Sequence, residues 1–329
     1  LDFKSNTDPK ELKKFIDYGF DKAVIFSTYD SCHIVAKALG KNQIDLAICD
    51  EAHRTASDKK GLYSFCLSDK NIKIDKRLFM TATPRTYAPY KKSSEGELQK
   101  KYSMDDKSVY GEEAYEYTFK QGSEFGIIVP YKIVISIITN EDLNKKDIAR
   151  SKTMVDGNPL NTKYVATQLA LKDAVKRYSA KKIITFHRLI NDAVRFTDDS
   201  YSSIESYLDD FELFNVSSKQ SPTERSNYLN DFRNEEKSLI ANANCLTEGV
   251  NIPAVDMVAF MAPRRSKIGI VQAAGRAMRV SQNKKFGYII LPIVLEGEDS
   301  SSTQENAFRQ IITVLSALGM SDERIIAEF

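Results

Sequence analysis

Little in this chain points to a metal centre or a membrane. Its 329 residues include four cysteines, Cys32, Cys49, Cys66 and Cys245, with no Cys-x-x-Cys pair among them. Only three histidines accompany them, so a zinc site is not expected. Thiols used this sparingly fit a reduced, cytoplasmic setting. No apolar run reaches the ~18 residues that a membrane-spanning helix needs. Charge of one sign is also lacking: the net charge is +2, which neither forces nor forbids a nucleic-acid partner and leaves that question to local basic surface. The chain opens on Leu1 with no targeting pattern, and the expectation is a fragment of a longer polypeptide.

What is present is the composition of a globular protein, 42% hydrophobic and 28% charged, in a chain long enough for two domains. Its focal stretch is 46–53, Leu-Ala-Ile-Cys-Asp-Glu-Ala-His. An apolar run that ends in two adjacent carboxylates reads as a buried strand delivering acids to the edge of a sheet. Strands avoid Asp and Glu, so the pair needs a reason. Phosphoryl transfer supplies one, with Asp50 holding Mg²⁺, directly or through water, and Glu51 orienting and deprotonating the water that attacks a γ-phosphate. A helix start with Asp50 as its cap is the plainer alternative.

Taken in order, residues 9–20 form a helix-like segment behind the cap Asp8 and Pro9. Residues 23–31 read as a short buried strand running into hydroxyls, which can hold a backbone phosphate or simply cap a helix. Residues 33–39 are helical. Residues 77–84 read as another strand ending in Thr81, Thr83 and Pro84. The strand–helix rhythm is that of a parallel sheet with covered faces, in which ligands gather beyond the carboxyl ends of the strands. Residues 115–125 read as a connecting helix, 126–130 as a hinge and 131–139 as the strand opening a second unit. Residues 140–160 resemble a surface insertion. Further alternation follows through 162–178, 182–186, 211–216, 222–232 and 237–241. A Gly-containing polar segment lies at 244–253. A helix from about residue 268 places Gln272, Arg276 and Arg279 at i, i+4 and i+7 on one face, beside the small residues Ala273, Ala274 and Ala277.

In this order the clusters resemble helicase superfamily 2. Asp50-Glu51-Ala52-His53 matches its motif II, the DEAH box, and Thr81-Ala82-Thr83 matches motif III. Residues 246–253 match motif V and 272–279 match motif VI. Residues 27–31 resemble a first-domain motif that touches the nucleic-acid backbone. The wording of 79–85, 103–106, Tyr110-Gly111 and 246–250 is similar to bacterial helicase-like motors, including type I and single-polypeptide restriction enzymes and helicases with helicase-associated domains. The resemblance covers 24–318. It implies an α/β fold of two RecA-like domains with parallel central sheets, 1–128 (incomplete at its N-terminus) and 129–329, with ATP in the cleft between them and nucleic acid running across both.

Roles follow from the resemblance, motif by motif. Asp50 and Glu51 keep the metal and water roles. His53 and the hydroxyls of Thr81 and Thr83 link the nucleotide site to the interdomain contact. Arg276 and Arg279 are the arginine fingers, and Gln272 aligns the water or the phosphate. Gly249 and Asn251 approach the nucleotide; Asn251 stands where many members carry Asp. Thr28, with Tyr29 and Ser31 in the same motif, and Thr247 meet nucleic-acid phosphates. His187 and Arg188, after the motif IV strand, either touch backbone phosphates or merely end a strand.

One expected part is missing. A P-loop, Gly-x-x-x-x-Gly-Lys-Ser/Thr, cradles the β- and γ-phosphates in such motors. The single Gly-Lys pair, Gly40-Lys41, has Val35 at the first Gly position and Asn42 at the hydroxyl position. The expectation is therefore the motor portion of an ATP- and Mg²⁺-dependent DNA helicase or translocase of a bacterial restriction or defence system. It would be joined to further domains or subunits and nearly inactive towards ATP by itself. An RNA helicase is the second reading, and a non-hydrolysing nucleic-acid scaffold that has lost its P-loop is the third.

Overall fold

A computed structural model describes residues 6–57, 61–87, 101–139, 142, 154–155, 158–159, 162–198, 203–243, 246, 255–264, 266–295, 301–322 and 324–325. The chain divides into two compact units, Leu1–Glu116 and Tyr117–Phe329.

In the first unit, α1 (Pro9–Asp17) is capped by Asp8, whose carboxylate accepts from Lys10 N–H. α2 (Cys32–Leu39) ends at Gly40, where φ is +60°. Gly40-Lys41 thus closes a helix, whereas a P-loop opens one. Strands β1 (Ile44–Cys49) and β2 (Ile74–Phe79) pair in parallel, Ile44 opposite Ile74 and Cys49 opposite Phe79. On one side of the pair, Ala47, Cys49 and Phe79 join Val35 and Leu39 of α2 in one core cluster. The other side leaves Leu46, Ile48 and Leu78 exposed. A short helix, α3 (Lys107–Tyr110), follows, capped by Asp106.

The expected strand at 23–31 is not a strand. Residues 23–28 carry no ladder, Val24 and Phe26 are exposed, and Tyr29–Ser31 forms a single 3₁₀ turn. An apolar run becomes a strand only when a neighbour accepts its backbone bonds, and among the described residues none does so here.

The second unit begins earlier than residue 129. α4 (Phe119–Glu124) opens on a capping box in which Thr118 and Gln121 satisfy each other's backbone. It belongs to the second unit because Phe119 N–H donates to Ser321 O at 3.1 Å and its ring meets Tyr131 edge-on. β3 (Tyr131–Thr139) follows, and within 140–160 the described residues form a small antiparallel pair, β4 (Met154–Val155) and β5 (Asn158–Pro159). The remaining elements are α5 (Thr162–Tyr178), β6 (Lys182–Phe186), α6 (Ile190–Thr197), β7 (Glu212–Val216), α7 (Pro222–Asn234), β8 (Ser238–Asn242), β9 (Met257–Phe260), α8 (Lys267–Met278), β10 (Gly287–Leu295) and α9 (Ser301–Gly319).

Six of these strands form one parallel sheet in the order β3-β10-β9-β6-β8-β7. Alternate residues serve opposite faces. Ile184, Phe186, Ile240, Val258 and Phe260 pack with α7, α8 and α9; Ile183, Leu239, Met257 and Ile290 pack with α5 and α6. Burial on both faces is why these strands read as continuous apolar runs. Full burial of each of Phe186, Phe232 and Phe260 contributes roughly 2–3 kcal/mol. The chain leaves β6 for one side of it and returns, after β8, to the other, so the carboxyl ends of β6, β8 and β9 border the switch point at which open α/β sheets bind ligands.

Candidate functional site

β1 carries the chain to Asp50, whose residue is exposed, and then into a turn held from several directions. Met80 N–H donates to Cys49 O and Ala52 N–H to Met80 O, both at 2.9 Å, so the turn is stitched to the end of β2. Tyr29 Oη donates to Asp50 O at 2.6 Å. Glu51 N–H donates to Asp50 Oδ1 at 2.9 Å. Glu51 itself sits in the left-handed region, φ 49° and ψ 44°, a conformation that strains a residue with a Cβ. Strain of this kind persists only where the surroundings impose it, and it gathers at functional sites.

His53 follows in a 3₁₀ turn and is only 2% exposed. Its Nδ1 lies 3.1 Å from Thr81 Oγ1 and 3.3 Å from Glu51 Oε2. Thr81 Oγ1 also accepts the Thr83 N–H at 3.1 Å, and Thr83 is buried. The acidic turn after β1 and the hydroxyl pair after β2 are therefore one hydrogen-bonded unit running through a buried imidazole. Asp50 offers an exposed, hard carboxylate rather than a closed cage. That donor set suits Mg²⁺, which keeps several waters and takes one or two carboxylates beside its phosphates.

Thr28 is exposed and Ser31 half-buried; Thr28 Oγ1 donates to Ser31 Oγ at 3.1 Å. Tyr29 lies between them, but its hydroxyl is committed to Asp50 O, and burial holds its pKa well above the ordinary phenol value. The expected phosphate contact for Tyr29 is corrected accordingly: the hydroxyl supports the acidic turn. The stretch 103–106 is structural too. Ser103 Oγ accepts from Tyr87 N–H at 2.8 Å, and Met104 N–H donates to Arg85 O at 3.0 Å. Tyr110 Oη lies 3.0 Å from Thr55 Oγ1 and the ring meets Phe79 edge-on.

In the second unit, α8 is capped by Ser266, which accepts from Gly269 N–H at 3.1 Å. Ala273, Ala274 and Ala277 are fully buried and seat the helix closely against the sheet. Gln272 is half-buried and Arg276 only 5% exposed, which excludes a solvated cationic face. Burial, with the charge of Arg279 adding, pulls the Arg276 guanidinium down to about 10. A guanidinium in water never approaches that value. Two cations held this close favour an anion beside them.

Arg279 stands at the very end of the helix that carries Gln272 and Arg276. The helix ends at Met278, and Arg279 is its C-cap with extended backbone (ψ 135°). An antiparallel bridge between Ile128 and Arg279, with Val129 N–H donating to Met278 O at 2.8 Å, takes the chain out of helical geometry.

Of its two readings, His187 fits the plainer one, a residue that ends a strand. It is 5% exposed, Nε2 lies 2.9 Å from Thr185 Oγ1, and burial followed by the charge of Arg264 lowers its pKa to about 3. A neutral, enclosed ring cannot meet a backbone phosphate; exposed Arg188 can. Arg264, which the sequence reading passed over, stacks 4.5 Å over Phe186 and 5.7 Å over Phe260 at the carboxyl edge of the sheet. Thr247, Gly249 and Asn251 lie outside the described residues; Leu246, just before them, is fully buried after β8. Among the described residues no group of three or more His, Cys, Asp or Glu could hold a metal ion, and no helix is long and apolar enough to cross a membrane.

Two families match in sequence. Residues 3–86 match the family described as type III restriction enzyme, res subunit, and residues 166–281 the helicase conserved C-terminal domain. Among solved structures, the chain superposes on an ATP-dependent Type ISP restriction-modification enzyme, LlaBIII bound to DNA, with a TM-score of 0.78 and 28% identity over 97% of this chain and 23% of that one. A nuclease-deletion mutant of the Type ISP enzyme LlaGI, in complex with a DNA substrate mimic, gives a TM-score of 0.58 and 26% identity over 97% of this chain and 21% of that one. A probable helicase of African swine fever virus (isolate Tick/Malawi/Lil 20-1/1983) is 24% identical over 320 residues, 97% of this chain and 33% of its own length. The chain thus spans about a third of that viral relative and under a quarter of the two solved enzymes. With parallel α/β sheets, a DEAH turn bonded to Thr81, an arginine-bearing helix after β9 and both family matches in chain order, the protein belongs to helicase superfamily 2, with motor domains like those of restriction enzymes.

Proposed function

We propose that this chain is the motor portion of an ATP-dependent DNA translocase or helicase of a bacterial restriction or related defence system. The observation that carries the reading is the Asp50–Glu51 turn, strained at Glu51 and bonded through His53 to Thr81. In this role Glu51 orients the attacking water and accepts its proton. Asp50 would hold Mg²⁺, which when bound neutralises charge on the β- and γ-phosphate oxygens. Arg276 and Arg279 supply positive charge as negative charge develops on a γ-phosphate, with Gln272 aligning the water or the phosphate. Such a finger contributes roughly 10³–10⁵ in rate in related phosphoryl transfers. Gly249 and Asn251 approach the nucleotide.

The His53–Thr81–Thr83 bonds give the γ-phosphate site a route to the end of β2, so hydrolysis can shift what that strand end holds. Thr28, Ser31, Arg188 and Thr247 meet the nucleic-acid backbone through phosphates, without base readout and with strong salt dependence. DNA is favoured over RNA because both solved restriction enzymes similar to this chain are described with DNA or a DNA mimic. The discriminating experiment uses the natural polypeptide that contains this chain, provided that it includes a P-loop. Duplex DNA, single-stranded DNA and single-stranded RNA compete to stimulate its ATP hydrolysis. Stimulation by DNA that RNA does not displace supports the reading; RNA as the better activator overturns the DNA assignment.

A further inference from the structure

The end of α8 is held by one lysine that no motif includes. Lys284 lies beyond the helix, and its ammonium donates to three carbonyls: Ala277 O at 2.6 Å, Arg279 O at 3.0 Å and Val255 O at 2.6 Å. Ala277 is in the last turn of α8, Arg279 is its cap, and Val255, fully buried, leads into β9. The last carbonyls of a helix have no partner within it, and a cation placed there offsets the negative end of the helix dipole. Lys284 is half-buried, unlike its exposed neighbour Lys285.

Two further features grip the same backbone. Ile128 pairs with Arg279, and Val129 N–H donates to Met278 O. β10 also begins here, at Gly287, where a Cβ would stand 2.0 Å from Ala277 O. Residues 277–279 are therefore clamped by the 128–129 segment, by the start of β10 and by Lys284. The two guanidiniums bracket this stretch: buried Arg276 comes one residue before it, and Arg279 is its last residue. Groups that act on a developing charge lose about 10² in rate for a displacement near 1 Å.

We propose that Lys284 is the positioning residue for the two arginines of α8, fixing the backbone from which Arg276 and Arg279 project while touching no substrate itself. The inference rests on the role given to those arginines above, and its test separates the two. In the natural polypeptide containing this chain, Lys284→Met keeps the aliphatic stem and removes the donors; Lys284→Arg keeps a cation; Arg276→Ala is the benchmark. Two quantities are read: ATP turnover with saturating DNA, and hydrogen exchange at Val129, whose N–H is bonded to Met278 O.

Lys284→Met is expected to lower kcat about tenfold or more, to leave KM within about twofold and to speed exchange at Val129, with Lys284→Arg recovering most of both. Wild-type turnover in Lys284→Met while Arg276→Ala is crippled overturns the proposal. So does a loss that only follows the fraction of unfolded protein and that Arg does not restore. If Arg276→Ala itself retains full turnover, the arginine reading has failed, and the clamp is judged on exchange alone: faster exchange at Val129 in Lys284→Met sustains it, and unchanged exchange overturns it.

Discussion

Acid should loosen the second unit through one histidine. His187 is enclosed by Phe196, whose ring lies 4.7 Å away, and by the Arg264 charge, and its pKa falls to about 3 from an ordinary 6.5. The folded pKa is below the unfolded one, so between these values the unfolded chain binds a proton that the folded chain refuses. Stability is therefore complete above the unfolded pKa and is lost as pH falls towards 3. From that shift the loss is about 2 kcal/mol at pH 5 and about 3 kcal/mol at pH 4. The natural control is His187→Gln, which cannot titrate and can still bond Thr185. No tryptophan is present to report unfolding, so the assay is urea-dependent hydrogen exchange of the β6 amides at pH 7 and pH 5. Subtracting the variant's pH difference from that of the wild type cancels every other titrating group. A remainder of about 2 kcal/mol is expected; equal acid sensitivity in both proteins would refute the buried, neutral imidazole.

Other consequences are equally direct. Gly287→Ala drives a Cβ into Ala277 O, a backbone atom that cannot rotate away, and should destabilise the second unit by about 3 kcal/mol in chemical denaturation; a loss below about 1 kcal/mol means the helix end yields freely. Thr118→Ala removes the capping box of α4 and should cost about 1 kcal/mol by the same measurement. Glu51→Gly relieves a left-handed conformation costing about 1 kcal/mol. The first unit should then lose no stability although a side chain is deleted, and a clear drop in its melting temperature contradicts the strain. The 329-residue chain, which carries no P-loop sequence, should turn over ATP well below about 1 s⁻¹ in a DNA-stimulated phosphate-release assay.

The central strands of the second unit's sheet were legible because they are buried on both faces, and the edge strand β3 because it is rich in isoleucine. The apolar runs at 131–139 and 182–186 and the helical period at 162–178 coincide with β3, β6 and α5. The same logic failed at 23–31, where the apolar residues are present but no described strand pairs with them. Helical spacing carried the helix through Arg279; a bridge to residue 128, far off in sequence, ends it at Met278. The family resemblance offered Tyr29 as a phosphate contact, and His187 as either a phosphate contact or a strand end; packing turns His187 inward and commits the Tyr29 hydroxyl to Asp50 O. Lys284 gave no signal whatever. In the run Asn283-Lys284-Lys285 it resembles any surface lysine, and only the folded chain shows three carbonyls converging on it.

The proposed function turns on one claim, that the carboxylate of Glu51 and the guanidinium of Arg276 both act in the ATP-hydrolysis step. A double-mutant cycle on DNA-stimulated ATP hydrolysis by the natural polypeptide, using Glu51→Gln, Arg276→Ala and both together, tests it most directly. Two groups acting on one transition state should each lower kcat by about 10² or more, and the double variant should be little worse than either single one. Full turnover in either single variant, or losses that simply multiply, would contradict it.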